Sequence, residues 1–207
     1  RRFTMKEAWE LFLHGGFVMW PLLVALIIAV AIAVERLAYY QRLKHEMFAL
    51  NDALEESEIN WQSLLTTLES KHTANISYNL PLVLGQCQDR NVLQSKMEDM
   101  VAHVYTHASR GLDWLSTIVT MAPLLGLLGT VTGMIGAFQV FGADGAVPTA
   151  ITGGVGEALI ATASGLCVAI VALCFHAAFT HHVRMTIARL EDSFSRILDS
   201  YDRGHAA

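Results

Sequence analysis

The sequence predicts an all-α membrane protein with three transmembrane helices and long helical extensions outside the bilayer. Three observations carry this. Three uncharged runs, Gly15 to Val34, Trp114 to Ala143 and the stretch following Glu157, are each long enough at about 1.5 Å per residue to cross a ~30 Å hydrocarbon core. The charges are gathered in blocks between these runs rather than spread along the chain. Within the charged blocks, apolar residues recur every three or four positions, which is helical spacing.

Composition narrows the class. The chain has 207 residues, 53% of them hydrophobic, and a net charge of -5 that arises mostly between Glu35 and Asp113, where eleven acidic residues face seven basic ones. An acidic extramembrane region argues against nucleic acid as a partner. Cys87, Cys167 and Cys174 are an odd number, and the last two lie two helical turns apart, so free thiols are expected. No short apolar core with a small-residue cleavage site precedes Gly15, so no signal peptide is expected, and without an initiator Met the sequence is expected to start partway in.

Taken in order, residues 1–14 predict an amphipathic surface helix, with Met5, Ala8, Trp9 and Phe12 opposite Lys6, Glu7 and Glu10. Gly15-Gly16 ends it. The first span, 15–34, closes on Glu35-Arg36 and is bracketed by Trp20 and Tyr39-Tyr40. From Pro21 onward it holds no glycine or hydroxyl, so it is expected at the lipid-facing periphery, with Ala29 a tolerant position. Residues 35–113 predict a helical region outside the membrane, with Leu37, Tyr40, Leu43, Met47, Leu50 and Leu54 on one face and turns at Asn60, at 72–75 and at 79–81. Leu93, Met97, Met100, Val104, His107, Gly111 and Leu115 continue the period into the second span, 114–141, so one long helix is expected there. A loop, 142–156, leads to the third span, 157–180. Beyond it Val183, Ile187, Leu190, Phe194, Ile197 and Tyr201 keep a four-three heptad spacing and predict a packing helix over 181–207.

Orientation follows from the basic residues. No Lys or Arg occurs from Gly111 through Val183, whereas Arg36, Arg42, Lys44, Arg110, Arg184 and Arg189 flank the other ends of the spans. The middle region and tail are therefore expected in the cytoplasm, and the N-terminus and the 142–156 loop outside it.

The candidate functional residues lie in spans two and three. Gly126, Gly129, Gly133 and Gly136 form a stripe at spacings of three, four and three, and Gly165 adds a small residue to span three, so another backbone can approach closely. Thr130, Thr132, Thr162 and Ser164 bring hydroxyls to depths where lipid penalises an unpartnered polar group; they either face a polar interior or bond their own helix carbonyls. Glu157 opens the third span and is either functional or seated at the positive end of the helix dipole. His176 and His181-His182 read as interfacial side chains. No phosphate-binding loop, metal-ligand spacing or catalytic triad is present, so neither enzyme activity nor a metal or cofactor is expected. Neither span carries an ionised residue near its middle. If ions pass, another chain supplies the titrating group.

Ala122-Pro123-Leu124-Leu125-Gly126-Leu127-Leu128-Gly129-Thr130-Val131 and the run Gly154 to Leu166, Gly-Val-Gly-Glu-Ala-Leu-Ile-Ala-Thr-Ala-Ser-Gly-Leu, resemble the two signature segments of the ExbB/TolQ/MotA proton-channel family; Met19-Trp20-Pro21-Leu22-Leu23 and Glu35-Arg36-Leu37 are similar too. The resemblance implies a ring, a pentamer of this chain in a bacterial inner membrane, enclosing one-span ExbD- or TolR-like subunits whose aspartate carries the proton and which act on a TonB- or TolA-like protein. It implies that Thr130, Thr162 and Glu157 line the ion pathway. Three spans favour the ExbB/TolQ branch over the four-span MotA branch, with TonB-dependent uptake first and TolQ-like envelope work second. Val171 stands where the family usually has proline, and His176-Ala177 where it has Tyr-Asn. A non-conducting membrane scaffold is the reading from another class.

Overall fold

The computed structural model describes residues 12, 15–56, 89–141 and 148–205. Among them the chain forms four long helices and no strand: α1 (Met19–Glu56), α2 (Arg90–Ser109), α3 (Leu112–Phe141) and α4 (Pro148–His205). Three helical stretches are long and apolar enough to cross a membrane, in α1, in the α2–α3 segment and in α4. The described part of the chain separates into an apolar unit, within Arg1–Val34 and Gly111–Ala177, and a polar unit, within Glu35–Arg110 and Ala178–Ala207. The expected surface helix over 1–14, apart from Phe12, and the turns at Asn60, 72–75 and 79–81 lie outside the described residues.

The polar unit is a helix bundle with an aliphatic and aromatic centre. Leu43, Met47 and Leu50 of α1, Leu93, Met97, Met100 and Val104 of α2, and Leu190, Phe194, Ile197 and Tyr201 of α4 form one buried cluster, with Ile187 packed against it. The heptad spacing of the tail thus becomes the α4 side of a core. The α1 seam differs by one position from the expected one. Leu37 is 55% exposed and Arg36 is buried in its stead, because the guanidinium finds a carbonyl partner that lets a cation occupy a seam position. Likewise His107 is exposed and Ala108 buried.

Helix α2 starts where Asp89, in extended conformation, accepts a 2.9 Å hydrogen bond from the Asn91 N–H. Arg90 Nε reaches both carboxylate oxygens of Asp202 on α4 at 2.9 Å. Both side chains are about half exposed, so solvent screens the pair and it serves register more than stability.

The continuous helix expected from Leu93 to Leu115 and beyond is interrupted. Arg110 has φ −55° and ψ 133°, and Gly111 has φ 84°, close to the central residues of a type II turn, whose third position favours glycine. A lone Gly in an unbroken apolar period gives no such warning. Pro123, by contrast, lies inside α3 without ending it.

The third span and the tail are one uninterrupted helix, and it starts earlier than expected. Residues 142–147 of the expected loop lie outside the described residues, but 148–156 are already helical, with Pro148 at the first helical position, where a missing N–H costs nothing. Gly153, Gly154 and Gly156 suggest a loop to propensity rules made for water, yet all three lie within the helix; Gly154 packs closely on α3, while a Cβ on Gly153 or Gly156 would meet open space.

In the apolar unit α1 is not peripheral on all sides. Leu22, Ala29 and Ala33 are buried, Ala29 completely, while Val24, Ile27 and Val34 are exposed. An all-aliphatic sequence has no polar marker to tell a packed face from a lipid-facing one. Small alanines supply the close face.

Candidate functional site: the α3–α4 seam

The seam is built from residues with little or no side chain. A Cβ added to Gly126 would lie 3.1 Å from the Thr162 Cα, and one on Gly129 would lie 2.5 Å from the Ala161 Cβ. A Cβ on Gly133 would meet the Ala158 Cβ at 3.1 Å, and one on Gly165 would meet the Ala122 carbonyl oxygen at 2.6 Å and the Gly126 Cα at 3.0 Å. Residue numbers rise along α3 as they fall along α4, so the helices are antiparallel with backbones in near contact. Buried Ala122, Ala137, Ala158 and Ala161 fill the remaining space.

Two corrections to the predicted stripe emerge. Gly136 has nothing within 4 Å of where its Cβ would be, so it takes no part in the close packing of this chain. Gly154, expected in a loop, does take part: a Cβ there would lie 2.6 Å from the Ala137 Cβ and 3.2 Å from the Gly133 carbonyl oxygen. The signal was the spacing Gly154, Ala158, Ala161, Gly165, which mirrors the glycine stripe of α3.

The hydroxyls divide into two kinds. Thr130 Oγ1 donates to the Leu127 carbonyl at 2.7 Å, and Thr132 Oγ1 to the Leu128 and Gly129 carbonyls at 3.0 and 3.2 Å, all within α3. These bonds give each hydroxyl a partner while leaving its lone pairs available. Thr162 Oγ1 instead crosses to α3 and donates to the Gly126 carbonyl at 3.0 Å. That carbonyl is also the regular helical acceptor for the Thr130 N–H, four residues on. Thr130 and Thr162 are thereby linked through one peptide group, and both are half-buried.

Glu157 does not begin its helix. It lies nine residues beyond Pro148, past the first turn to which the dipole effect is confined, so the helix-terminus reading is overturned. Its carboxylate lies against the turn that starts α1: an oxygen occupies the place a Cβ on Gly16 would take. Gly16 also has φ 72°, so glycine is required there both by conformation and by space. The seam register, with Ala158 facing Gly133 and Thr162 facing Gly126, places Glu157 near the level of Gly133 and Thr162 more than one turn away along α4. The 140° between Glu157 and Thr162 on α4 keeps them off a common stripe.

Chemically this seam offers carbonyl oxygens, hydroxyls and one carboxylate, all of them acceptors for a cation or a protonated group. From Trp114 to Phe141 and from Ala158 to Ala177 the helices carry no Asp, Glu, Lys or Arg. No group of three or more metal-ligating side chains occurs among the described residues. Cys167 and Cys174 are free and exposed.

Residues 60–192 match the model of the MotA/TolQ/ExbB proton channel family. The chain is 36% identical over 168 residues to the biopolymer transport protein ExbB-like 1 of Synechocystis sp., an alignment covering 78% of this chain and 66% of that relative. It is 27% identical over 210 residues to the biopolymer transport protein ExbB of Salmonella typhimurium, covering 94% and 86% of the two. With the biopolymer transport protein ExbB of Xanthomonas campestris pv. campestris it shares 39% over 106 residues, 51% of this chain and 42% of that one.

Proposed function

This chain belongs to the MotA/TolQ/ExbB proton channel family, and we propose that it is the ring-forming subunit of an ion-driven motor in a bacterial inner membrane. Several copies, five by analogy with the family, enclose a one-span ExbD-like subunit. Ions move down their gradient past Thr130 and Thr162 to a carboxylate on that subunit. The movement turns or shifts the enclosed helix, and a TonB-like protein transmits the work to transport across the outer membrane. Moving one charge through 100 mV releases about 2.3 kcal/mol, enough to bias a packed interface with two discrete arrangements.

The observation that carries this reading is the α3–α4 seam: two helices joined backbone to backbone and lined with hydroxyls, without an ionised residue in their central stretches. The hydroxyls and carbonyls of such a wall can hold a mobile charge but do not titrate, and its one carboxylate, Glu157, is directed at Gly16. The titrating group therefore belongs to a partner. Glu157, beside Gly16 and away from Thr162, serves at a mouth of the path or at a neighbouring copy.

A scaffold role is the second reading. The bonds from Thr130 and Thr132 to their own helix favour it, since those hydroxyls have partners without any ion. Energy-dependent uptake measured for the Thr130→Val, Thr162→Val double variant separates the two, provided native mass spectrometry shows its complex with the one-span partner intact. We expect uptake to be lost. Full uptake would leave the scaffold standing.

A further inference from the structure

Helix α2 ends at Ser109, and the last carbonyls of any α-helix lack donors from their own ladder. Here two side chains of α1 supply them. Arg36 Nη1 donates to the His107 carbonyl at 2.8 Å, and the Tyr40 hydroxyl donates to the Ala108 carbonyl at 2.8 Å. The donors lie one turn apart on α1 and the acceptors are consecutive on α2. Arg36 and Tyr40 are both more than nine-tenths buried, the Arg36 Nε has no hydrogen-bond partner, and the guanidinium carbon lies 5.5 Å from the centre of the Tyr39 ring. The exposed Glu35 carboxylate lies 3.6 Å from the Arg36 Nη2. A buried cation with one hydrogen-bonded carbonyl and one long ion pair is costly, so its position calls for an explanation beyond packing.

The two carbonyls are those a continuous helix would use. Had α2 run on into α3, the Gly111 N–H would bond to the His107 carbonyl and the Leu112 N–H to the Ala108 carbonyl, by the four-residue ladder. The apolar period of Leu93 to Leu115 permits that helix. The caps remove the penalty of leaving the carbonyls without ladder donors, and the positive φ of Gly111 makes the turn affordable. From the other side, Leu115 N–H bonds to the Gly111 carbonyl at 3.2 Å and Asp113 stands in the first turn of α3, both of which favour a new start at that point.

We propose that Arg36 and Tyr40 are a positioning pair that keeps α2 and α3 as two helices, and that without their hydrogen bonds the helix runs through Arg110–Gly111. The charge of Arg36 adds to the effect by opposing the negative end of the α2 dipole. This inference does not rest on the ion-path reading, because its test needs no ion flow.

Amide hydrogen exchange of the full-length protein in lipid nanodiscs tests it at Asp113 and Trp114, whose N–H groups have no acceptor inside α3 but would gain Ser109 and Arg110 in a continuous helix. In the parent they should exchange at least tenfold faster than the core amides of Leu93 to Val104. Gly111→Ala alone, with both caps present, should leave them fast. Gly111→Ala with Tyr40→Phe, or with Arg36→Met, should slow them threefold or more while the core amides keep their protection. Arg36→Lys, which retains a cationic donor, should restore the parent pattern in the Gly111→Ala background. Slowing of less than threefold in the double variants would overturn the proposal. So would protected amides in the parent, or loss of protection across Leu93 to Val104 in Tyr40→Phe alone, which would make the pair a general prop of the bundle.

Discussion

Thr162 on α4 donates its hydroxyl to the carbonyl of Gly126 on α3 at 3.0 Å, a bond possible only because Gly126 has no side chain to hold the helices apart. It gives the two threonines of the seam different prospects on mutation. Thr162→Val should weaken the α3–α4 contact by about 0.5–1.5 kcal/mol, the worth of one such bond, in addition to any loss of activity. Thr130→Val removes only a bond to its own helix and should leave thermal stability in detergent within about 0.5 kcal/mol of the parent. Equal melting temperatures for both variants would show that the interhelical bond contributes nothing.

Gly165→Ala places a methyl group against backbone on the facing helix, at the Ala122 carbonyl and the Gly126 Cα, and neither can rotate away. We expect about 1–3 kcal/mol of destabilisation by overpacking. Gly136→Ala, with open space around its Cβ in this chain, should be neutral for the fold of one subunit. Chemical denaturation of the two proteins side by side is the measurement, and equal midpoints would contradict the seam.

Ala29 is completely buried on α1, whereas Val30 beside it is 43% exposed. Ala29→Leu should therefore be disruptive, on the order of 1–3 kcal/mol, and Val30→Leu silent. The measurement is the yield of folded, monodisperse protein after extraction. It also decides whether the first span has one packed face or none.

In the polar unit Leu190 and Leu50 are fully buried and Leu37 is exposed. Leu190→Ala or Leu50→Ala should cost about 2–5 kcal/mol and Leu37→Ala well under 1 kcal/mol. Thermal melts followed by circular dichroism would show it. A large loss at Leu37 would mean that another chain covers that face.

Topology is testable by thiol labelling in intact cells. With Lys and Arg absent from Gly111 through Val183, a cysteine at Ala146 should react with an impermeant reagent while Cys87 stays protected. Prior reaction of Cys87 would reverse the orientation.

Much of this protein was legible in the order of its residues. Uncharged length identifies the apolar helices, because a helix that crosses hydrocarbon needs about twenty predominantly apolar residues in a row. The heptad of Leu190, Phe194 and Ile197 marks a packed face, since one helical face must be apolar to be buried in water. The spacing of Gly126, Gly129 and Gly133 marks a close approach, though not its partner. Tertiary structure alone decided the rest. Arg36 displaces Leu37 from the seam because a carbonyl 71 residues away accepts its hydrogen bond, and no local pattern encodes so distant an acceptor. The helix stops at Ser109 for the same reason: Gly111 permits a turn, but Arg36 and Tyr40 supply the donors that stabilise it. That Ala29 is buried and Gly136 open is not written in the sequence, because lipid and protein are equally apolar. In a membrane span, hydrophobicity cannot say which side meets a neighbour; only the shape of the opposing helix can.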